Sequence, residues 1–261
     1  MFRGENGKMK TQHDVNTNQY QDKSEAYLHS QVHAQGVEFA KMRELLQKNS
    51  FKKVLDLGCG GGHVSYQVAP IVEEVVAYDV TQSMVETVLK HAKQQGLNHV
   101  TGQVGCAEHL NFAPQSFDCI ISRYSAHHWQ NVGQAMLEMK RVLSEQGKVI
   151  IFDILGQSDP ILDTFLQSIE MIRDPSHVRD YSLQEWCNFA EYAGFRIETI
   201  EKQKLELDFS SWITRMQSPD HAAETILYLQ SKVSDRVRKY FDIQADGSFC
   251  SEAVYLVLGQ A

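Results

Sequence analysis

The chain has 261 residues, of which 43% are hydrophobic, enough to bury a core as one large domain or one domain with insertions. A formal charge of −8 provides no basic field for a phosphate backbone, so nucleic acid is not an expected partner. No run of about 18 apolar residues is present to span a membrane, and five scattered cysteines without a Cys-x-x-Cys pair suit a reducing cytoplasm better than a disulfide framework or structural zinc.

Residues 1–18 are polar and without periodicity, which predicts a flexible N-terminal arm ahead of a single domain over 19–261. Residues 22–48 carry a helical apolar pattern interrupted at Gly36. An apolar strand at 53–57 precedes a helix that starts near His63 and stops at Pro70. Strand 75–78 follows, then a helix capped by Thr81, with Met84, Val85, Val88 and Leu89 on its apolar face and Gly96 at its end. Strands at 99–104 and 117–122, a helix at 132–143, and a strand at 148–153 entered through Gly147 complete the alternation. Such alternation implies a parallel sheet covered on both faces, a Rossmann-like α/β architecture with its core at 50–153.

Beyond Asp153 the rhythm changes. Helices are expected at 159–173 and at 182–192 with Ser182 as a cap, a strand region at 195–208, a long helical stretch at 211–240 and a last strand at 253–258. Segments 159–192 and 211–240 are expected to form a lid over the carboxyl edge of the sheet. The pairs Met136/Met139 and Trp186/Phe189 stand at helical spacing and read as core.

The most informative stretch is Asp56-Leu57-Gly58-Cys59-Gly60-Gly61-Gly62-His63. Glycines directly after a buried strand let backbone amides approach a ligand that a Cβ atom would hold away. About twenty residues further on, a second strand ends in Asp79, a spacing suited to gripping ribose hydroxyls. A dinucleotide fingerprint would need its third glycine where His63 stands, which argues against an NAD-type oxidoreductase. Instead, Asp56-x-Gly58-x-Gly60-x-Gly62 resembles the first motif of class I S-adenosylmethionine-dependent methyltransferases. The cofactor has no phosphate, and Asp56 before the turn could offset its ammonium and sulfonium charges.

The resemblance continues downstream. Tyr78-Asp79-Val80-Thr81-Gln82-Ser83-Met84 is similar to the family's second motif, implying that Asp79 bonds the ribose diol and that Val80 or Met84 flanks adenine. Gly105-Cys106-Ala107-Glu108-His109-Leu110 resembles the adenine-edge segment of the ubiquinone/menaquinone-biosynthesis type. That type usually has Asp where Cys106 stands; cysteine is a weak acceptor, although the Ala107 amide can still reach the ring. Glu108 is read as a pocket acid or a surface charge of the following turn. Relatives carry a helix that closes over the methionine end of the cofactor, which implies roles for Tyr27 and His33. They also imply that the Arg123 carbonyl lies near the cofactor ammonium; the side chain itself reads as a solvated charge. The resemblance implies seven strands, the last antiparallel. The whole chain is similar to the YafE-type methyltransferases, a label that names no acceptor.

Ligands of open α/β sheets sit outside the carboxyl ends of the strands, so the exit Arg123-Tyr124-Ser125-Ala126-His127-His128-Trp129 is the candidate acceptor pocket. His127 or His128 is a candidate general base or orienting group, with Tyr124 and Trp129 as walls; both histidines could instead pack structurally. Adjacent residues leaving a strand point apart, so at most one is expected to face the pocket. Asp153 either borders the acceptor or caps the next segment. His29 and His33, four apart, could bind a metal but lack a third ligand nearby, so no metal is expected. The function expected is methylation of a small molecule at oxygen or carbon, with S-adenosylhomocysteine as product. A non-catalytic cofactor-binding module is the alternative. Methyltransfer to nucleic acid or protein would need an open acceptor face.

Overall fold

The computed structural model describes residues 9–24 and 36–260. Seven strands form one sheet: β1 (Lys53–Leu57), β2 (Glu74–Asp79), β3 (Val100–Val104), β4 (Phe117–Arg123), β5 (Leu143–Ile154), β6 (Phe195–Leu207) and β7 (Phe249–Gln260). Their order is β3-β2-β1-β4-β5-β7-β6, and β7 runs antiparallel to both its neighbours, as the resemblance implied. The central strands are buried on both faces, which is why β1 reads Val-Leu-Asp-Leu with no exposed residue to alternate.

Helices α1 (Gln12–Tyr20), α2 (Val37–Asn49), α3 (His63–Val68), α4 (Gln82–Gln94) and α5 (Val132–Val142) accompany the first five strands. The later ones are α6 (Pro160–Arg173), α7 (Leu183–Tyr192), α8 (Phe209–Met216), α9 (Asp220–Lys232) and α10 (Asp235–Tyr240). One sheet face packs on α5 and α7, where Met136, Met139 and Trp186 are buried and Phe189 packs beside them, so both pairs are core. Each such side chain contributes about 1.5–3 kcal/mol by leaving water. The opposite face packs on α2, α3 and α4. A third cluster, built from Phe165, Trp212, Phe241 and Phe249, joins the late helices to the end of β7.

Several boundaries differ from expectation for local reasons. Residues 12–20 are not a loose arm: Thr11 and Asp14 form a reciprocal capping box that starts α1. The stretch 211–240 is three helices, broken at Gln217 (φ +52°) and at Pro219 and again at Ser234, which caps α10. Gly147 lies within β5, where a Cβ would come 2.7 Å from Leu143. Among the described residues, no helix is long and apolar enough to cross a membrane.

Candidate active site

Strands β1 and β4 are neighbours, but the chain leaves β1 toward β2 and β4 toward β5, on opposite sides. A crevice therefore opens at their carboxyl ends, the usual ligand position in such sheets. The two exit loops touch there. A Cβ on Gly58 (φ +76°) would sit 1.8 Å from Ser125 Oγ, so only glycine lets β1 turn beside the β4 exit. A Cβ on Gly60 (φ +49°) would meet nothing within 4 Å, because this residue faces open cleft.

Gly58 and Cys59 amides donate to the Tyr78 carbonyl, and the Gly60 amide donates to Asp79 Oδ2 at 3.0 Å. Thr81 N–H donates to Asp79 Oδ1 at 2.9 Å, so the acid at the end of β2 braces both loops while bordering the cleft. Burial raises the Asp79 pKa, and these amide bonds oppose the rise. Val80, Met84, Cys106, Ala107 and Glu108 also line this part of the cleft. Cys59 and Cys106 both have thiol pKa values raised first by burial and then by neighbouring carboxylates, so neither is a thiolate.

The other half of the cleft begins at a 3-10 turn, Ala126–His128. His127 Nδ1 donates to Asp153 Oδ1 at 2.5 Å. The same carboxylate accepts from the Ala126 and Ile154 amides, both at 2.8 Å. Burial alone would lower the His127 pKa, but the Asp153 charge and hydrogen bond override it and raise it to about 9. His128 is the opposite case: burial and the adjacent His127 charge push it down to about 4. Its Nε2 lies 3.0 Å from the Tyr20 hydroxyl, and its Nδ1 lies 3.3 Å from the Ser176 carbonyl oxygen. Tyr20 in turn donates to Asp174 at 2.7 Å.

A methyltransferase domain model matches residues 55–151. The chain is 39% identical to the uncharacterized protein YafE of Escherichia coli over 197 residues, 76% of this chain and 95% of that one. It is 33% identical to the uncharacterized methyltransferase YcgJ of Bacillus subtilis over 93% of this chain and 98% of that one. The crystal structure of YcgJ superimposes with a TM-score of 0.81, covering 85% of this chain and 98% of that one. The chain belongs to the class I S-adenosylmethionine-dependent methyltransferases.

In this methyltransferase, the expected residues divide into those at the cleft and those behind it. Gly58, Gly60, Asp79, Val80, Met84, Cys106, Ala107 and Glu108 border the cleft, as do Tyr124, His127, His128 and Trp129. Both histidines do so, against the expectation of one, because they leave β4 in a 3-10 turn with ring centroids 4.1 Å apart. Only His127 keeps a ring nitrogen, Nε2, without a bond among the described residues.

Asp56 does not reach the cleft. Alternation along β1 turns it to the same face as Val54, toward α3, where it accepts from Ser65 N–H at 2.9 Å and Ser65 Oγ at 2.6 Å. Burial pushes its pKa up to about 7 against those bonds, and Asp56 secures the first turn of α3. The Arg123 side chain is not a solvated charge. Nη2 and Nε pair with Glu38 Oε1 at 2.7 and 2.8 Å, and the guanidinium stacks 4.6 Å from the Phe39 ring. Tyr27, His29 and His33 lie outside the described residues.

The cleft's roof draws on both expected lid segments and on one helix, α1, that the sequence reasoning did not anticipate. Helix α1 contributes His13, Asn16 and Tyr20, and the end of α6 with the following loop contributes Glu170, Arg173, Asp174, His177 and Asp180. Trp212 and Met216 on α8 complete it. Of the expected lid, α7 instead packs on α5 and β6, and α9 packs on α6. His13, Cys106 and Glu108 bring ligand atoms within 4.8 Å of one another, but His13 Nε2 already bonds Glu108 at 3.2 Å and the thiol stays protonated.

Proposed function

We propose that this enzyme methylates an oxygen or carbon atom of a small-molecule acceptor enclosed between the His127 turn and the roof. The observation that carries this reading is the roof itself. Helix α1 is bonded across the cleft through Tyr20 to His128 and Asp174, and Gln12 Nε2 donates to the Ser176 carbonyl at 2.8 Å. A strand of nucleic acid or a folded protein surface would have to displace these contacts; a small molecule would not.

The residues present suit the cofactor. Open space over Gly60 accommodates its amino-acid portion, Asp79 offers carboxylate oxygens to the ribose diol, and Val80 and Met84 supply apolar surface for adenine, with the Ala107 amide also at the cleft. S-adenosylmethionine supplies a methyl group already activated by its sulfonium, which leaves as the neutral thioether of S-adenosylhomocysteine. The protein's part is to align, to exclude water and, for an acceptor that must lose a proton, to receive it. His127 Nε2 is the group for that last task, since Asp153 holds Nδ1 as a donor and stabilises the imidazolium formed.

The test is a methyl-transfer screen with labelled donor, run against cell extract separated into macromolecular and small-molecule fractions. Label entering a compound of the small-molecule fraction supports the reading. Label confined to protein or nucleic acid, or no transfer by enzyme that binds S-adenosylhomocysteine, contradicts it.

A further inference from the structure

Asp180 is a buried carboxyl that the proposed chemistry leaves unused. It is 1% exposed, borders the acceptor half of the cleft, and neither carboxyl oxygen has a hydrogen-bond partner among the described residues. Its position is built rather than slack. Gln167 Nε2 donates to the Asp180 carbonyl at 2.7 Å, while the Asp180 amide donates to Gln167 Oε1 at 3.0 Å. Gly156 packs so closely beneath that a Cβ there would come 2.1 Å from the same carbonyl.

The surrounding charges are already committed. His127 pairs with Asp153, Arg173 with Glu170 at 3.1 Å, and Arg179 with Asp163 and Glu185 at 3.1 and 2.8 Å. Asp174 accepts from Tyr20 and Ser176. Arg215, also in the wall, has contacts of its own. His177 bonds Gln167 and is held neutral, burial taking its pKa to about 4. Among the described residues no cation bonds the Asp180 carboxyl; burial and the neighbouring Glu170 charge push its pKa well above the usual range, and the His127 charge only partly opposes them. A buried polar group with no partner is costly, and such groups in clefts are commonly completed by ligand.

We infer that Asp180 recognises the methyl acceptor by taking an amine N–H, so that the acceptor class is amine-bearing and cationic rather than a carboxylate or phosphate ester. The inference rests on the reading of this cleft as a small-molecule acceptor site. The amine is a docking handle on the far side from the cofactor half, and its ammonium supplies the counterion that no described side chain provides.

The probes are benzylamine and benzoate, matched in size and opposite in charge, titrated by calorimetry into the full chain saturated with S-adenosylhomocysteine. Benzylamine is expected to bind at least tenfold more tightly than benzoate, and Asp180→Asn to remove at least tenfold of its affinity. The variant should also be no less stable than the parent, because it replaces an unpaired buried carboxyl with a neutral isostere. Benzoate binding as well as benzylamine, no binding of benzylamine, or equal benzylamine affinity in Asp180→Asn would each overturn the inference. Should Asp180→Asn not fold, the stability expectation fails and the comparison of the two probes on the parent chain still decides the acceptor's charge. Absence of heat from S-adenosylhomocysteine itself would instead overturn the function proposed above, and this inference with it.

Discussion

His127 and Asp153 form an ion pair 2.5 Å long that engages Nδ1 of an imidazole bordering the cleft. Its consequence is a basic imidazole, near 9 rather than the usual 6.5. A proton acceptor must first be deprotonated, so for an acceptor that loses a proton the rate should climb with pH toward about 9. In Asp153→Asn the largest raising influence is gone, leaving burial opposed only by the Asp180 and Glu170 charges, so the rising limb should move to lower pH. His127→Ala should lower turnover by about 10²–10⁴-fold. A pH–rate profile unchanged in Asp153→Asn, or a loss of tenfold or less in His127→Ala, would remove His127 as an essential base.

The Tyr20–His128–Asp174 contact should make the roof acid-sensitive. His128 has a folded pKa of about 4 against the ordinary 6.5, so its share of stability is complete above 6.5 and is lost as pH falls from there toward 4. That share is about 3 kcal/mol by linkage. Asp174, lowered to about 2, acts in a lower window: its contribution is present above 3.8 and fades toward 2. Limited proteolysis of segment 9–24 should accelerate through the upper window, and His128→Gln should abolish that dependence. Tyr20→Phe should cost about 1 kcal/mol at neutral pH, read from urea melts.

The Arg123–Glu38 pair is buried, with side chains 5% and 2% exposed. Removing one partner leaves the other charge stranded, so Arg123→Ala should destabilise by about 3–5 kcal/mol. Cofactor affinity of the folded fraction should change little, since the side chain stands behind the cleft. Urea melts combined with calorimetry separate the two effects; a large affinity loss at unchanged stability would contradict this placement.

The sheet and the meeting of the glycine turn with the acid-ended strand were legible because they follow from local rules. A strand, a glycine turn and an acid-ended second strand occupy fixed spacings, and Gly58, Gly60 and Asp79 meet wherever such units pair in parallel. The motif position of Asp56 did not reveal its partner: strand alternation directs it to Ser65, behind the cleft. Helix α1 was invisible to apolar periodicity, since its Gln12, His13 and Tyr20 side chains make polar contacts. Its capping pair, Thr11 and Asp14, was the available signal. Asp180 could not have been found: its isolation depends on which partners Glu170, Arg173 and His127 choose in three dimensions.

Asp79 is where cofactor recognition can be tested most directly, by titrating S-adenosylhomocysteine calorimetrically into the parent chain and into Asp79→Ala. The parent should give one-to-one heat, and the variant should bind at least about 100-fold more weakly through loss of charged hydrogen bonds, with its circular dichroism unchanged. No heat from the parent, or equal affinity in a folded Asp79→Ala, would contradict the account.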